Sequence, residues 1–214
     1  MSTRITLIAS LILIVAAVAL SVAVYGRLPD AMASHWNASD QVDGSISRFW
    51  GAFLMPALGL ALLGLFLIIP AIDPLKANIA RFRGIFNLFI VMIMVFLLYI
   101  HVLTIAWNLG LRSFRMSAAL LPAVGLLFIV AGLLMRQAKR NFFIGIRTPW
   151  TLSSDKVWNE THRVGGALFA ASGLLAMLGA FFPGTVAYWL VLGPILASTI
   201  FVVVYSYVLW RREQ

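Results

Sequence analysis

Long apolar runs alternate along the chain with short polar connections. Six runs contain no Asp, Glu, Lys or Arg: Ile5–Tyr25, Trp50–Pro70, Ile85–Trp107, Met116–Met135, Val164–Pro183 and Val186–Trp210. A helix of about 20 apolar residues crosses a bilayer, so each run predicts a membrane-spanning helix. The regular apolar–polar alternation of a barrel is absent, and backbone in lipid must satisfy its own hydrogen bonds, which leaves helices. The first run exceeds the apolar region of about 7–15 residues expected of a secretion signal and reads as a retained helix. The expected fold is an all-α polytopic integral membrane protein with six transmembrane helices. Its organisation reads as a two-helix module over 1–75 with an outer loop at 26–49, a third helix with a polar stripe over 76–115, and a module over 116–214 with an inner loop at 136–163.

Basic residues orient these spans. With both termini cytoplasmic, the inner side holds Arg4, Lys76, Arg81, Arg83, Arg136, Lys139, Arg140, Arg147, Lys156, Arg163, Arg211 and Arg212. The outer side holds only Arg27, Arg48, Arg112 and Arg115. That asymmetry is the positive-inside pattern. Trp50, Trp107, Trp189 and Trp210 fall near predicted ends, where interfacial tryptophans anchor. Charged residues make up 11% of the chain, against about 25% in soluble domains. The net charge of +9 would point to nucleic acid in a soluble protein. Here it marks the cytoplasmic face, so membrane lipids are expected partners and direct nucleic-acid binding is not. Cysteine is absent, which excludes disulfides, thiolate metal sites and a cysteine nucleophile.

The polar chemistry gathers in three places. The inner stretch NFFIGIRTPWTLSSDKVWNETHR, Asn141 to Arg163, carries most of it. Thr148-Pro149 stops a helix and extends Thr148, and Gly145 permits a turn. Ser153 or Ser154 can cap a following helix, with Asp155 in its first turn. On that helix Trp158, Thr161, His162 and Gly165 share a face. The stretch reads either as a docking surface of Arg147, Trp150, Trp158, Glu160, His162 and Arg163 or as a juxtamembrane helix whose basic residues meet lipid. Asp155, Glu160 and His162 make a poor metal set, with one histidine and carboxylates off one face. Glu160 and His162 lack a third group to orient them for proton transfer.

The outer loop offers Asp30, His35, Asp40 and Asp43, too few ligands for a calcium loop. Pro29 and Asp43-Gly44 read as turns, and Asn37-Ala38-Ser39 fits a glycosylation sequon. In the third span Asn87, Met94, His101 and Asn108 recur every seven residues and share one helix face, with Thr104 beside His101. Polar groups at membrane depth face the bundle interior. They serve either a ligand or proton pocket or interhelical hydrogen bonds of about 0.6 kcal/mol each. Gly166, Ala170 and Gly173 form a small-residue stripe for close helix packing, and Pro56, Pro122 and Pro194 predict kinks.

Gly145-Ile146-Arg147-Thr148-Pro149-Trp150-Thr151-Leu152, Val157-Trp158 and Thr161-His162-Arg163 together resemble the signature loop of the SdpI family of bacterial immunity proteins. Leu28-Pro29-Asp30, His35-Trp36-Asn37 and Val42-Asp43-Gly44 resemble a small domain of unknown function that often precedes it. Two departures stand in the outer loop: Asp40 replaces a usual glycine, and Ser45 and Ile46 follow Asp-Gly where an aromatic is usual. The resemblance implies a multi-pass protein of the bacterial plasma membrane that protects against a secreted antimicrobial peptide toxin. Some relatives also signal by sequestering a cytoplasmic ArsR-type repressor. Toxin-facing candidates are then Asp30, His35, Trp36, Asn37 and Asp43. Partner-facing candidates inside are Arg147, Thr148, Pro149, Trp150, Trp158, Glu160, His162 and Arg163, while Asn87, His101 and Asn108 are the intramembrane polar set. No catalytic residue, metal or cofactor is implied.

Two other classes compete. A transporter would use the kinked helices and the polar stripe, but no span carries a carboxylate and no GxxxxGK[ST] motif is present. An intramembrane enzyme would need a nucleophile–base pair, paired carboxylates or a HExxH motif, and none is found.

Overall fold

The computed structural model describes the whole chain, Met1–Gln214. Helix α1 spans Thr3–Val24 and opens on Ser2, whose side chain accepts from the Ile5 amide. A single 3₁₀ turn leads into two antiparallel strands, β1 (Ala31–Trp36) and β2 (Val42–Ser47). Helices α2 (Arg48–Ile72), α3 (Lys76–Arg81), α4 (Arg83–Asn108) and α5 (Met116–Gln137) follow. The inner loop then contributes the short α6 (Pro149–Ser153), and α7 (Asp155–Gly179) and α8 (Gly184–Arg211) complete the chain.

Five helices are long and apolar enough to cross a membrane: α1, α2, α4, α5 and α8. The sixth expected span, Val164–Pro183, differs. Its apolar residues continue a helix that begins at Asp155 in polar sequence, and the helix ends at Gly179, short of Phe181-Phe182-Pro183. The helical frame carries one feature that the pattern does not predict: the outer loop folds as a two-stranded hairpin. Asp43-Gly44 is not its turn. The turn runs over Asn37–Gln41, where the Asn37 side-chain oxygen accepts from the Ser39 and Gln41 amides at 2.9 and 3.0 Å. Asp40 adopts φ +58°, the left-handed region that glycine enters without strain. Gly44 instead lies in β2 at a register irregularity, where an added Cβ would sit 2.9 Å from His35 Cβ.

The helices pack as two groups. Helices α1, α2 and α4 contact one another, α7 lies between α5 and α8, and α4 against α5 joins the groups. A core of Leu63, Ile79, Phe86, Ile90 and Met94 continues into Leu134, Ala138 and Trp158 across that junction. Glycine sets the α5–α7 distance. A Cβ on Gly125 would lie 2.4 Å from the Gly173 carbonyl, and one on Gly132 would lie 2.4 Å from that of Gly166. The order of these pairs makes the two helices antiparallel, and the stripe Gly166, Ala170 and Gly173 forms their contact. Pro56, Pro122 and Pro194 lie inside α2, α5 and α8. Near Pro122, which donates no backbone hydrogen bond, Tyr99 Oη donates to the Ala119 carbonyl at 3.0 Å.

Candidate functional site

The hairpin lies across the outer helix ends and is tied down by side chains. Asn108, at the end of α4, accepts from the Ala33 amide at 2.8 Å and donates to the Ala33 carbonyl at 3.0 Å, standing in for a third strand. Met32, Leu28, Ala52 and Ile105 bury its base. At its tip the Asp40 carboxylate accepts from the Ser117 amide at 2.7 Å and from Ser117 Oγ at 2.6 Å. A carboxylate at a helix N-terminus also meets the positive end of the dipole. Trp36 packs edge-on against Trp107, with ring centroids 5.6 Å apart.

Beneath this roof is a cavity of about 410 Å³. Trp50, Leu54 and Met55 of α2, Ile100 and Thr104 of α4, and Leu120, Leu121 and Val124 of α5 give it apolar walls. The hairpin adds Ser34, His35, Trp36, Asn37 and Asp40 along one side. The Trp36 indole N–H is buried and has no acceptor. Of the toxin-facing candidates, His35, Trp36 and Asn37 line the cavity, whereas Asp30 and Asp43 do not. Asp30 pairs with Arg48 at 2.6 Å and Asp43 pairs with His35. The apolar wall was missed in the sequence, because residues lining a cavity and residues facing lipid carry the same side chains. Asp40 was visible as one of the outer-loop carboxylates and as the residue that stands where glycine is usual, not as a tie to α5.

The polar stripe is engaged in hydrogen bonds between elements. Asn87 donates to the Met1 carbonyl at 3.1 Å and to Thr3 Oγ1 at 3.3 Å. His101 Nε2 lies 2.9 Å from Ser21 Oγ, whose hydroxyl donates to the Ala52 carbonyl. Asn108 holds the hairpin. These bonds tie α4 to α1 and to the outer roof.

The inner loop is a plate knitted from within. Trp158 Nε1 donates to the Ala138 carbonyl at 2.8 Å, just past the end of α5. His162 stacks on Trp158, with centroids 3.9 Å apart and planes at 16°. Its Nδ1 lies 2.8 Å from the Trp158 carbonyl, and its Nε2 accepts from the Ile146 amide at 2.9 Å, so Nδ1 carries the proton. Burial pushes the imidazole down to about 4, opposed by the bond to the Trp158 carbonyl. Gly145, at φ +111°, lies against the same ring; a Cβ there would be 2.3 Å from Nε2.

Asn141 is buried, with its oxygen accepting from the Phe143 and Ile144 amides and its nitrogen donating to the Lys139 and Ile144 carbonyls. Thr148 and Thr151 form a capping box on α6, and Thr148 Oγ1 lies 3.2 Å from Ser206 Oγ of α8. Ser154 caps α7. Asp73, buried before α3, accepts from the Phe142 amide at 2.9 Å.

The eight inner candidates therefore divide. Thr148, Trp158 and His162 are buried fasteners. Arg147 and Pro149 are exposed, and Arg147 Nη1 donates to the Phe142 carbonyl at 2.9 Å. Trp150 is half-buried, edge-on to Tyr207 at 5.1 Å. Glu160 and Arg163 form an ion pair at 2.6 Å, which raises the Arg163 guanidinium further. No three of His, Asp and Glu converge as a metal set. Asn141 and Asp73 were missed in the sequence; an Asn opening a Phe-Phe-Ile-Gly turn was the available signal.

Long apolar helices around a continuous core define a multi-pass helical membrane protein. Residues 137–206 match the SdpI/YfhL protein family, and residues 12–60 match a domain of unknown function (DUF1648). The chain is 24% identical over 206 residues to Immunity protein SdpI of Bacillus subtilis (strain 168), covering 96% of each chain. No solved structure matches it. The resemblance to the SdpI family read from the inner and outer loops therefore holds, and both sets of motif residues fall inside the matched stretches.

Proposed function

We propose that this chain is an immunity protein of the bacterial plasma membrane that binds a secreted antimicrobial peptide beneath its outer hairpin. The cavity of about 410 Å³ carries the reading. Its apolar walls suit an apolar segment of a membrane-active peptide, and Trp36 offers a donor to a backbone carbonyl. Similarity to Immunity protein SdpI supplies the biological context. Binding, without chemical turnover, is the protective act.

In this reading the chain crosses the membrane six times, with both termini cytoplasmic. The length of the α5–α7 contact supports α7 as a crossing helix. Near the start of α5, Arg115 donates to the Ala180 and Phe182 carbonyls just beyond α7. At the other end, the Ala138 carbonyl meets Trp158. Helix α7 thus covers the same depth as α5. The modules are 1–75, 76–115 and 116–214. The exposed Arg147, Pro149 and Arg163, with the half-buried Trp150 and Glu160 beside them, present a surface to a cytoplasmic ArsR-type repressor.

The test is protection of membrane potential. A sensitive bacterium expressing the protein receives antimicrobial peptides, including one encoded beside it, while a voltage dye follows depolarisation. Wild type should hold its potential, and Leu120→Trp, which fills the cavity, should lose protection at equal membrane level. Equal depolarisation with and without wild-type protein would refute immunity. Full protection by Leu120→Trp would refute the cavity as the site.

A further inference from the structure

At the inner ends of the helices, away from the loop's outer surface, a second cavity of about 120 Å³ is lined by Asn78, Arg81, Lys139, Arg140, Asp155 and Asn159, with no apolar residue among them. Its charges are not balanced. Arg140 is committed, with Nε 2.8 Å from the Asp155 carboxylate and Nη1 donating to the Leu152 carbonyl at 2.8 Å. Asp155, whose side chain is 70% exposed, is offset by this pairing. Arg81 and Lys139 have no carboxylate partner and no side-chain hydrogen bond, and neither does the Asn159 amide. Asn78 is oriented by donating to the Arg140 carbonyl at 2.8 Å. The exposed Arg81, the half-exposed Lys139 and the exposed Asn159 amide, none with a partner in the chain, therefore border a polar hollow large enough for one tetrahedral anion.

The depth of the hollow names the ligand. Arg81 ends α3, two residues before α4 begins at Arg83, and Lys139 lies two residues past the end of α5 at Gln137. Both cations thus sit where membrane-crossing helices leave the apolar layer, which is the level of lipid phosphates. Basic pockets between helices at that level hold anionic headgroups. We propose that this cavity binds the phosphate of an anionic phospholipid, with Arg81 and Lys139 as its ligands and Asn159 as a hydrogen-bond donor. The leaflet rests on the orientation proposed above; binding itself does not. The bound lipid would brace the junction of α3, α5 and α7 beside the inner plate.

The test uses the full chain in nanodiscs of phosphatidylcholine, with and without phosphatidylglycerol, reading retained lipid by native mass spectrometry and Tm by thermal melting. Wild type should retain phosphatidylglycerol selectively and melt higher with it. Arg81→Ala/Lys139→Ala should lower that retention about tenfold. Arg211→Ala/Arg212→Ala, which removes the same charge elsewhere on the basic side, should retain it fully. Because Arg81 and Lys139 hold nothing in the fold, both double variants should melt like wild type in phosphatidylcholine alone. Asn159→Asp, placing a negative charge in the hollow, should also lose the lipid. Equal loss in both double variants would reduce the effect to general charge attraction and overturn the site. Equal stabilisation by millimolar inorganic phosphate in phosphatidylcholine discs would assign a soluble anion instead.

Discussion

The outer hairpin and the inner loop are both polar segments set against an apolar bundle, yet they are built on opposite plans. The hairpin hangs over a cavity and is fastened at a few points: Asn108 at its base, Asp40 at its tip and Arg48 on Asp30. The inner loop is knitted to itself instead. Its most distinctive residues, Trp158, His162, Thr148 and Asn141, are spent on hydrogen-bonding the loop's own backbone. A loop at the membrane boundary must satisfy its amides and carbonyls without water on its buried side, and motif residues can serve that need first. Stability should therefore be concentrated in the inner plate, and ligand binding in the outer roof.

The largest effect expected is Gly145→Ala. Its positive φ and the approach of His162 Nε2 leave no room for a methyl group, and about 3 kcal/mol of stability should be lost. A melt within error of wild type would break the contrast. Acid comes next. The His162 imidazole is held down to about 4 from 6.5, so the neutral form is favoured in the fold. Its contribution is complete above about pH 6.5 and is lost as pH falls toward about 4, by about 3 kcal/mol in all. Melting curves of wild type and His162→Gln should diverge above pH 6.5 and converge through that window.

At the outer side Asp40→Ala keeps the positive φ and removes the bonds to Ser117, whereas Asp40→Gly removes only the bonds. Alanine should cost about 1 kcal/mol more than glycine, read by thermal melting, and a reversed order would deny the left-handed turn. Smallest is Glu160→Gln. Its exposed ion pair with Arg163 should shift stability by less than about 0.5 kcal/mol, so a larger loss of function in a reporter of repressor binding would locate a partner surface there. Arg115 sharpens the same point. In the sequence it sits in a plain outer turn, but it bonds the carbonyls beyond α7, so Arg115→Ala should lower the melting temperature at least as much as Arg147→Ala.

Much of the frame was legible. The apolar runs located the long helices, because burial in lipid demands that whole segments lack charge. Gly166, Ala170 and Gly173 announced a close helix contact, since close approach admits only small residues, and the fold makes it with α5. The break at Thr148-Pro149 and the cap at Ser154 followed from local backbone chemistry. The hairpin was not read, because Asp43-Gly44 imitates a turn while serving as the strand position that His35 overlies. Nor was the status of Trp158 and His162, because an aromatic–basic motif looks alike whether it faces a partner or its own loop.

Sequence by itself thus determined the solvent of each segment, the spacing of small and polar residues, and the points where helices must stop, since all of these depend on a few neighbouring residues. Tertiary structure alone decided which polar groups are consumed and which are left over. Arg140 met Asp155 and Asn108 met Ala33, while the Trp36 indole N–H found no acceptor and the Arg81 and Lys139 side chains found no ion-pair partner. Hydrogen bonds and ion pairs form between residues far apart in sequence, so only the folded chain shows which side chains remain free to bind something else.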